Sequence, residues 1–124
     1  MATPQTGIFA LGTASHAYLE LEARTGAADL VRTVASLREP RTTMGGVNLV
    51  AGFRPSLWQS FARDAAPADA HDAAPISGPD GFTMPATQHD CVLWLSGGSY
   101  DVIFDTARAA LVAWAPLRSS PTRR

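Results

Sequence analysis

The sequence contains no lysine, and all ten of its basic residues are arginine. They are spread from Arg24 to Arg124 and are balanced by eleven acidic residues, which leaves a formal net charge of -1. Binding to a nucleic-acid backbone requires a concentrated basic patch, so this distribution argues against a nucleic-acid partner. Arg118, Arg123 and Arg124 form a small basic cluster, which we interpret as part of a solvated chain terminus.

Cysteine is almost absent, with Cys91 as its single example. One thiol cannot form an internal disulfide or a zinc finger, which indicates a reducing compartment. The sequence also lacks a run of about 18 apolar residues and a basic leader followed by an apolar segment, so we expect no membrane partner and no export. We therefore predict a cytoplasmic protein, and the many alanines with arginine in place of lysine suit a bacterium with a GC-rich genome.

The 124 residues, of which 46% are hydrophobic, are enough for one domain with a modest core. Period-2 alternation of apolar residues predicts half-buried strands, and apolar residues at helical spacing predict helices that pack on them. These patterns predict, in order, a strand at 15–22, a helix that opens at 25–26 and that Pro40 stops, a strand at 47–53 and a short helix at 55–61. An apolar strand at 91–95 and a helix at 99–114, which Ser99 caps and Pro116 ends, follow.

The segment from 64 to 88 shows no sustained period and contains four prolines and the turn sequence Pro79-Asp80-Gly81. Such a long loop is typical of a functional segment or of one that packs on something else. The element order is therefore β-α-β-(short α, loop)-β-α. It predicts an α+β fold of the ferredoxin-like βαββαβ type in which the last strand is missing.

The candidate chemical residues form no local motif. His16, His71 and His89 are too far apart for a sequence-local metal site, and Cys91 lies in an apolar run that favours a buried structural thiol over a Cys/His nucleophile with His89. The segments 45–46 and 97–99 lack phosphate-loop spacing and are interpreted as tight turns. The pattern places all three tryptophans mostly in the core: Trp58, Trp94 and Trp114.

Three strings carry a resemblance to a known family. They are QTGIFALGT at 5–13, LREPRTTMGGVNLVAGF at 37–53, and the segment 78–90, which runs from GPDGF to PATQHD. In order and spacing they resemble the N-terminal half of B-type dye-decolourising haem peroxidases, over about residues 4–116. That family is built from two ferredoxin-like halves, which agrees with the fold predicted from the residue pattern.

The resemblance implies a peroxidase that uses haem b and hydrogen peroxide to oxidise dyes and phenolic compounds. In the family, the C-terminal half supplies the histidine that binds iron, together with an aspartate of a GxxDG motif and an arginine that act on peroxide. None of these positions exists in this sequence. Asp80 lies in GPDG, which is one residue short of the motif, so it receives no catalytic role. We assign no catalytic, cofactor-binding or metal-binding residues and expect this chain alone to bind no haem.

The match ends at residue 116, and family members continue there into a last strand and the haem domain. We interpret 1–116 as the N-terminal ferredoxin-like domain and 117–124 as a divergent, disordered tail of a truncated protein. Without the last strand, the sheet has an open edge that invites self-association or pairing with a C-terminal peroxidase half. The alternatives are a stand-alone ferredoxin-like module for binding or dimerisation and, by fold analogy alone, a cofactor-free monooxygenase.

Overall fold

The computed structural model describes residues 3–24, 26–38, 41–42 and 45–115. Along the chain, the elements are β1 (Ser15–Leu21), α1 (Ala27–Ser36), β2 (Arg41–Thr42), β3 (Gly45–Phe53), α2 (Pro55–Phe61), β4 (Ile76–Ser77), β5 (Thr83–Met84), β6 (Cys91–Gly97) and α3 (Tyr100–Trp114). Three short 3-10 helices span Thr6–Phe9, Arg63–Ala65 and Pro79–Gly81.

Four strands form one antiparallel sheet in the order β1-β6-β3-β2. The central strand β6 pairs along its whole length with both neighbours, so Gly97 lies opposite both Ser15 and Val47. The strands β1 and β3 therefore run in the same direction on either side of β6, and α1 connects them. This is the split β-α-β arrangement of a ferredoxin-like fold, and the predicted α+β class is confirmed.

The hydrophobic core lies between one face of the sheet and the three helices. Strand residues alternate between this face and the opposite one, which explains the period-2 burial of β1. Leu93, Leu95 and Ile103 are at most 1% exposed, and burial of each such side chain stabilises the fold by about 2–3 kcal/mol. The strands also bury Leu21, Val47 and Cys91, and the helices bury Leu30, Val34, Leu57, Ala107 and Ala110.

The helices occur where the sequence predicted them, with three corrections to their ends, caps and buried residues. Pro55 occupies the first turn of α2, where its missing N–H costs nothing. The helix α1 ends at Ser36, earlier than predicted. Ser99 is at the N-cap position of α3 but its side chain makes no capping hydrogen bond. Leu111, predicted on the buried stripe of α3, is 43% exposed because it lies beside that stripe rather than on it.

The long loop contains structure that the sequence pattern did not predict. Ile76 pairs with Met84 in a two-residue hairpin, β4 with β5, whose turn is the predicted Pro79–Gly81 segment. Asp80 has a φ of 60°, a left-handed conformation that aspartate tolerates better than most residues. Only two residues on each side pair, so no alternating pattern long enough to predict a strand exists.

The face of the sheet opposite the helices, called here the helix-free face, is covered over β3 by the 3-10 helix Thr6–Phe9. Gly7 approaches β3 so closely that a Cβ there would lie 2.8 Å from Cγ2 of Val50. No helix in the described part of the chain is long and apolar enough to cross a membrane. The predicted tail 117–124 lies outside the described residues, and the boundary at 116 stays a prediction.

Candidate functional site

The ends of three strands are joined by the carboxylate of Asp90, which is 6% exposed. Its Oδ2 accepts a 2.8 Å hydrogen bond from the N–H of Ala23, and its Oδ1 is paired with Nη2 of Arg54. The N–H of Asp90 donates to the carbonyl of Leu21 over 3.1 Å, and its own carbonyl accepts from the N–H of Arg54 over 2.9 Å. We call Leu21, Ala23, Arg54 and Asp90 the strand-end junction, since one residue connects β1 and β3 to the start of β6.

Arg54 also reaches a second carboxylate on the long loop, with 3.8 Å between its Nη1 and Oδ2 of Asp72. The hydroxyl and the N–H of Ser56 donate to Asp72 over 2.6 and 2.8 Å. These two bonds, with a smaller contribution from the charges of Arg54 and His71, hold the pKa of Asp72 below its ordinary value of 3.8. The stabilising effect of Asp72 is thus present at neutral pH and is lost as the pH falls through the lowered pKa.

A row of stacked rings, called here the aromatic row, lies on the helix-free face. Trp94 is stacked with His16 at a centroid distance of 6.0 Å and with Tyr18 at 6.2 Å. The indole N–H of Trp94 donates to Nδ1 of His16 over 3.1 Å, and Nε2 of His16 donates to the carbonyl of Thr13 over 3.2 Å. The neutral ring with its proton on Nε2 satisfies both contacts, so neither nitrogen of His16 is left for a metal.

His89 lies at the other end of β1, between two glutamates. Its Nδ1 contacts the carboxylate of Glu22, and its Nε2 is 3.3 Å from that of Glu20. The two carboxylates are on opposite sides of the ring, so this arrangement favours a bridging histidine over a metal ligand set. The bridge connects β1 to the residue before Asp90 and so lies next to the strand-end junction.

The structure does not bring the three predicted histidines together. His71 is on the long loop, where its Nδ1 is 3.0 Å from the carbonyl of Asp69. Within the described ranges, no group of three His, Cys, Asp or Glu residues is arranged to hold a metal ion. The three tryptophans, predicted mostly in the core, are each only partly buried.

Cys91 is 2% exposed, as predicted, and burial raises the pKa of its thiol from the ordinary 9.0 to about 12, with the charge of Asp90 adding to the effect. A thiol with a raised pKa stabilises the fold fully below pH 9.0 and loses this effect as the pH rises towards 12. We expect Cys91 to react with an aromatic disulfide reagent at pH 8 at least 100-fold more slowly than in the urea-unfolded chain. Equal rates, measured by release of the reagent's thiolate, would contradict a closed site.

The strings that carry the family resemblance meet in the structure. Gln5, from the first string, uses its side-chain amide to donate to the carbonyl of Ala51 over 2.7 Å and to accept from the N–H of Ala51 over 2.9 Å. Ala51 belongs to the second string. Asp90 is the last residue of the third string, and it bonds to Arg54, the residue that directly follows the second string. The motif residues thus hold strand edges and ends in place, which is a structural role.

No family model and no curated protein matches this sequence. Among solved structures, a Rhodococcus jostii RHA1 DypB variant in complex with heme matches with a TM-score of 0.74 and 22% identity, over 90% of this chain and 38% of that one. A second crystal form of DyPB from the same organism gives a TM-score of 0.72 over the same shares of both chains. The chain has the fold of a dye-decolourising peroxidase half-domain. A DypB variant in complex with manganese matches less completely, with a TM-score of 0.62 over 79% of this chain and 33% of its own.

The resemblance to B-type dye-decolourising peroxidases is thus confirmed at the level of the fold. The 38% share of the DypB chain fits the N-terminal half that the strings predicted. The chain spans less than two thirds of that protein. The expectation that it contributes no catalytic, cofactor or metal residue stays a prediction.

An open groove of about 920 Å³ lies between α1, α2 and the outer edge of β3. The residues that line it can be compared with those that bind haem. The volume is within the range of small-molecule sites. Among the described residues, its lining is apolar apart from Gln5, Arg38 and the ring of Trp58, and it includes no His, Cys, Met or Tyr. These are the side chains that bind haem iron, so the described lining does not fit haem.

Proposed function

We propose that the chain is one half-domain of a haem peroxidase and that it needs a haem-bearing second half to oxidise dyes or phenolic compounds with hydrogen peroxide. The observation that carries the proposal is the structural match over 90% of the chain to 38% of DypB. Haem b belongs to the second half in this proposal, and the chain alone binds none. The described lining of the groove, which includes no iron ligand, supports that division.

The role of this half-domain is to present a rigid sheet to its partner half. The strand-end junction and the bridge of His89 between Glu20 and Glu22 hold the ends of β1, β3 and β6 in register. The helix-free face, with its aromatic row, is the broad surface of the sheet that no α-helix covers in the described part of the chain. The buried free thiol of Cys91 supports a reducing, cytoplasmic location.

A hemin titration tests the first part of the proposal. We expect no saturable Soret band at one haem per chain, because His16 and His89 have both ring nitrogens engaged. His71, whose Nε2 has no partner among the described residues, is the histidine to replace as a control. A saturable band that disappears in His71→Ala would show that this chain binds haem by itself and would contradict the proposal.

A chimera tests the second part. We expect DypB in which this chain replaces the matched segment to retain bound haem and peroxide-dependent dye oxidation. Unmodified DypB is the positive control, and DypB without the matched segment is the negative control. A folded, monodisperse chimera without haem or activity would remove the peroxidase assignment for this half-domain.

The second candidate function is a stand-alone ferredoxin-like module that binds or dimerises without catalysis. The observation in its favour is the outer edge of β1, with which no strand pairs in the described residues. Light scattering across a range of concentrations distinguishes the two, since a module of this kind changes mass with dilution. A chain that is monomeric at every concentration would remove this candidate.

A further inference from the structure

The outer edge of β1 presents backbone groups in a defined pattern. The carbonyl of Leu21 points towards β6, where it accepts from the N–H of Asp90. In a regular strand, N–H and C=O groups of alternate residues point to opposite sides. The even-numbered residues His16, Tyr18 and Glu20 therefore direct their backbone groups away from β6, and no described residue pairs with them.

One antiparallel register pairs all seven residues of β1 with a second β1, and it places Tyr18 opposite Tyr18. In this register, His16 of each copy lies opposite Glu20 of the other, so no two like charges face each other along the paired edge. Sliding the strands so that Glu20 opposes Glu20 places like charges together and leaves strand ends unpaired. The avoidance of facing like charges and the number of paired residues thus favour the same register.

The flank of α3 above this edge is apolar and exposed. Val102, Thr106 and their neighbours line a cavity against α1, so the opposite flank of α3 faces away from α1 and over the outer edge of β1. This flank carries Tyr100, Phe104 and Leu111, which are 64%, 55% and 43% exposed. We call these three residues the α3 flank.

The unpaired edge and the α3 flank have a common symmetry. The first half of α3 packs with Leu95 and its second half with Leu21, so α3 and β1 run in roughly the same direction. A two-fold axis through Tyr18 then passes near the middle of α3, and it brings Phe104 of one copy towards Leu111 of the other. The strand edge and the helix flank are self-complementary about one axis.

We infer that the partner for this surface is a second copy of the chain, joined by antiparallel pairing of β1 with β1 about Tyr18 and by contact between the two α3 flanks. This inference rests on the second candidate function and specifies its interface. The combined sheet is continuous across the dimer. Each Tyr18 then has Trp94 of its own chain on one side and Tyr18 of the other copy on the opposite side.

Disulfide trapping tests the register in the full chain. Directly opposed residues have Cα atoms about 5.5 Å apart, within the range of a disulfide. We expect Tyr18→Cys to form a covalent dimer with oxidised glutathione. The double variant His16→Cys with Glu20→Cys, which keeps Tyr18, is expected to do the same. The matched controls are the single variants His16→Cys and Glu20→Cys. In each of them the two cysteines of the dimer are about 13 Å apart along the strands, too far for a disulfide. The only native thiol, Cys91, is buried.

Charge placed on the α3 flank tests the helix contact. We expect Phe104→Glu to weaken dimerisation at least tenfold in sedimentation equilibrium. Val112→Glu, at an even more exposed position on the solvent side of the same helix, is expected to leave it unchanged. Equal far-ultraviolet circular dichroism spectra verify that both variants fold.

The outcomes separate the interface from the function on which it rests. A wild-type chain that stays monomeric overturns both. A dimer that is not trapped by Tyr18→Cys or the double variant, or that both glutamate variants weaken equally, overturns the interface and leaves the module function standing. None of these outcomes bears on the DypB chimera.

Discussion

Replacing Asp90 with alanine is expected to lower the free energy of unfolding by about 3 kcal/mol, a large part of the stability of a small domain. The substitution removes the acceptor for the N–H of Ala23 and the partner of Arg54 in one step. Removing one member of a buried ion pair costs more than the pair contributes, because the remaining charge stays desolvated. The side chain of Arg54 is 35% exposed, so water relieves part of this cost and the lower end of the usual range applies.

Asp72 provides the matched control for this prediction. It also contacts Arg54, but at 3.8 Å and in a more exposed position, so Asp72→Ala is expected to lower the urea midpoint much less than Asp90→Ala. Asp90→Asn keeps the size and one acceptor and is expected to fall between the two. The measurement is urea unfolding followed by circular dichroism at pH 7. Equal midpoints for Asp90→Ala and Asp72→Ala would show that the strand-end junction does not hold the sheet together.

A strand could be predicted from the sequence where one of its faces is buried or where it lies in the centre of the sheet. Alternation predicted β1 from Ser15, because one face of that strand packs on the core and the other does not. The apolar run from Cys91 predicted a central strand, and β6 is paired on both sides. Pro55 predicted the start of α2, since proline fits only the first turn of a helix. In each case, the deciding interactions are local or depend only on polarity.

The strand-end junction was not predictable in the same way. Arg54 and Asp90 are 36 positions apart, and nothing in either local pattern specifies that they meet. A charged residue directly before a fully apolar strand was the available signal, because a carboxylate at that place must find a partner when the strand is buried. Trp94 was misplaced for a related reason: its strand is central, but among the described residues the helix-free face is covered over β3 and not over Trp94.

Glycine-to-alanine substitution at Gly97 is expected to lower the free energy of unfolding by about 3 kcal/mol, the upper end of the range for overpacking. The Cβ of an alanine would lie 2.5 Å from the carbonyl oxygen of Gly46, which is part of the backbone and cannot rotate away. At Gly98, a Cβ meets nothing within 4 Å, so Gly98→Ala is the control and is expected to change stability by less than about 0.5 kcal/mol.

Gly97 and Gly98 were predicted to form a tight turn. Comparing the two variants distinguishes a turn that needs glycine from a close backbone approach that needs it. Gly97 is the last residue of β6 and lies opposite both Ser15 and Val47. Its φ lies outside the left-handed region, so backbone strain does not require glycine there, and the close approach of β3 does. We expect urea midpoints to differ clearly between the two variants. We also expect amide exchange at Asn48, whose backbone faces β6 opposite Ser96, to accelerate only in Gly97→Ala. Equal midpoints would mean that β3 retreats from β6 at no cost, and the pair would then act only as a turn.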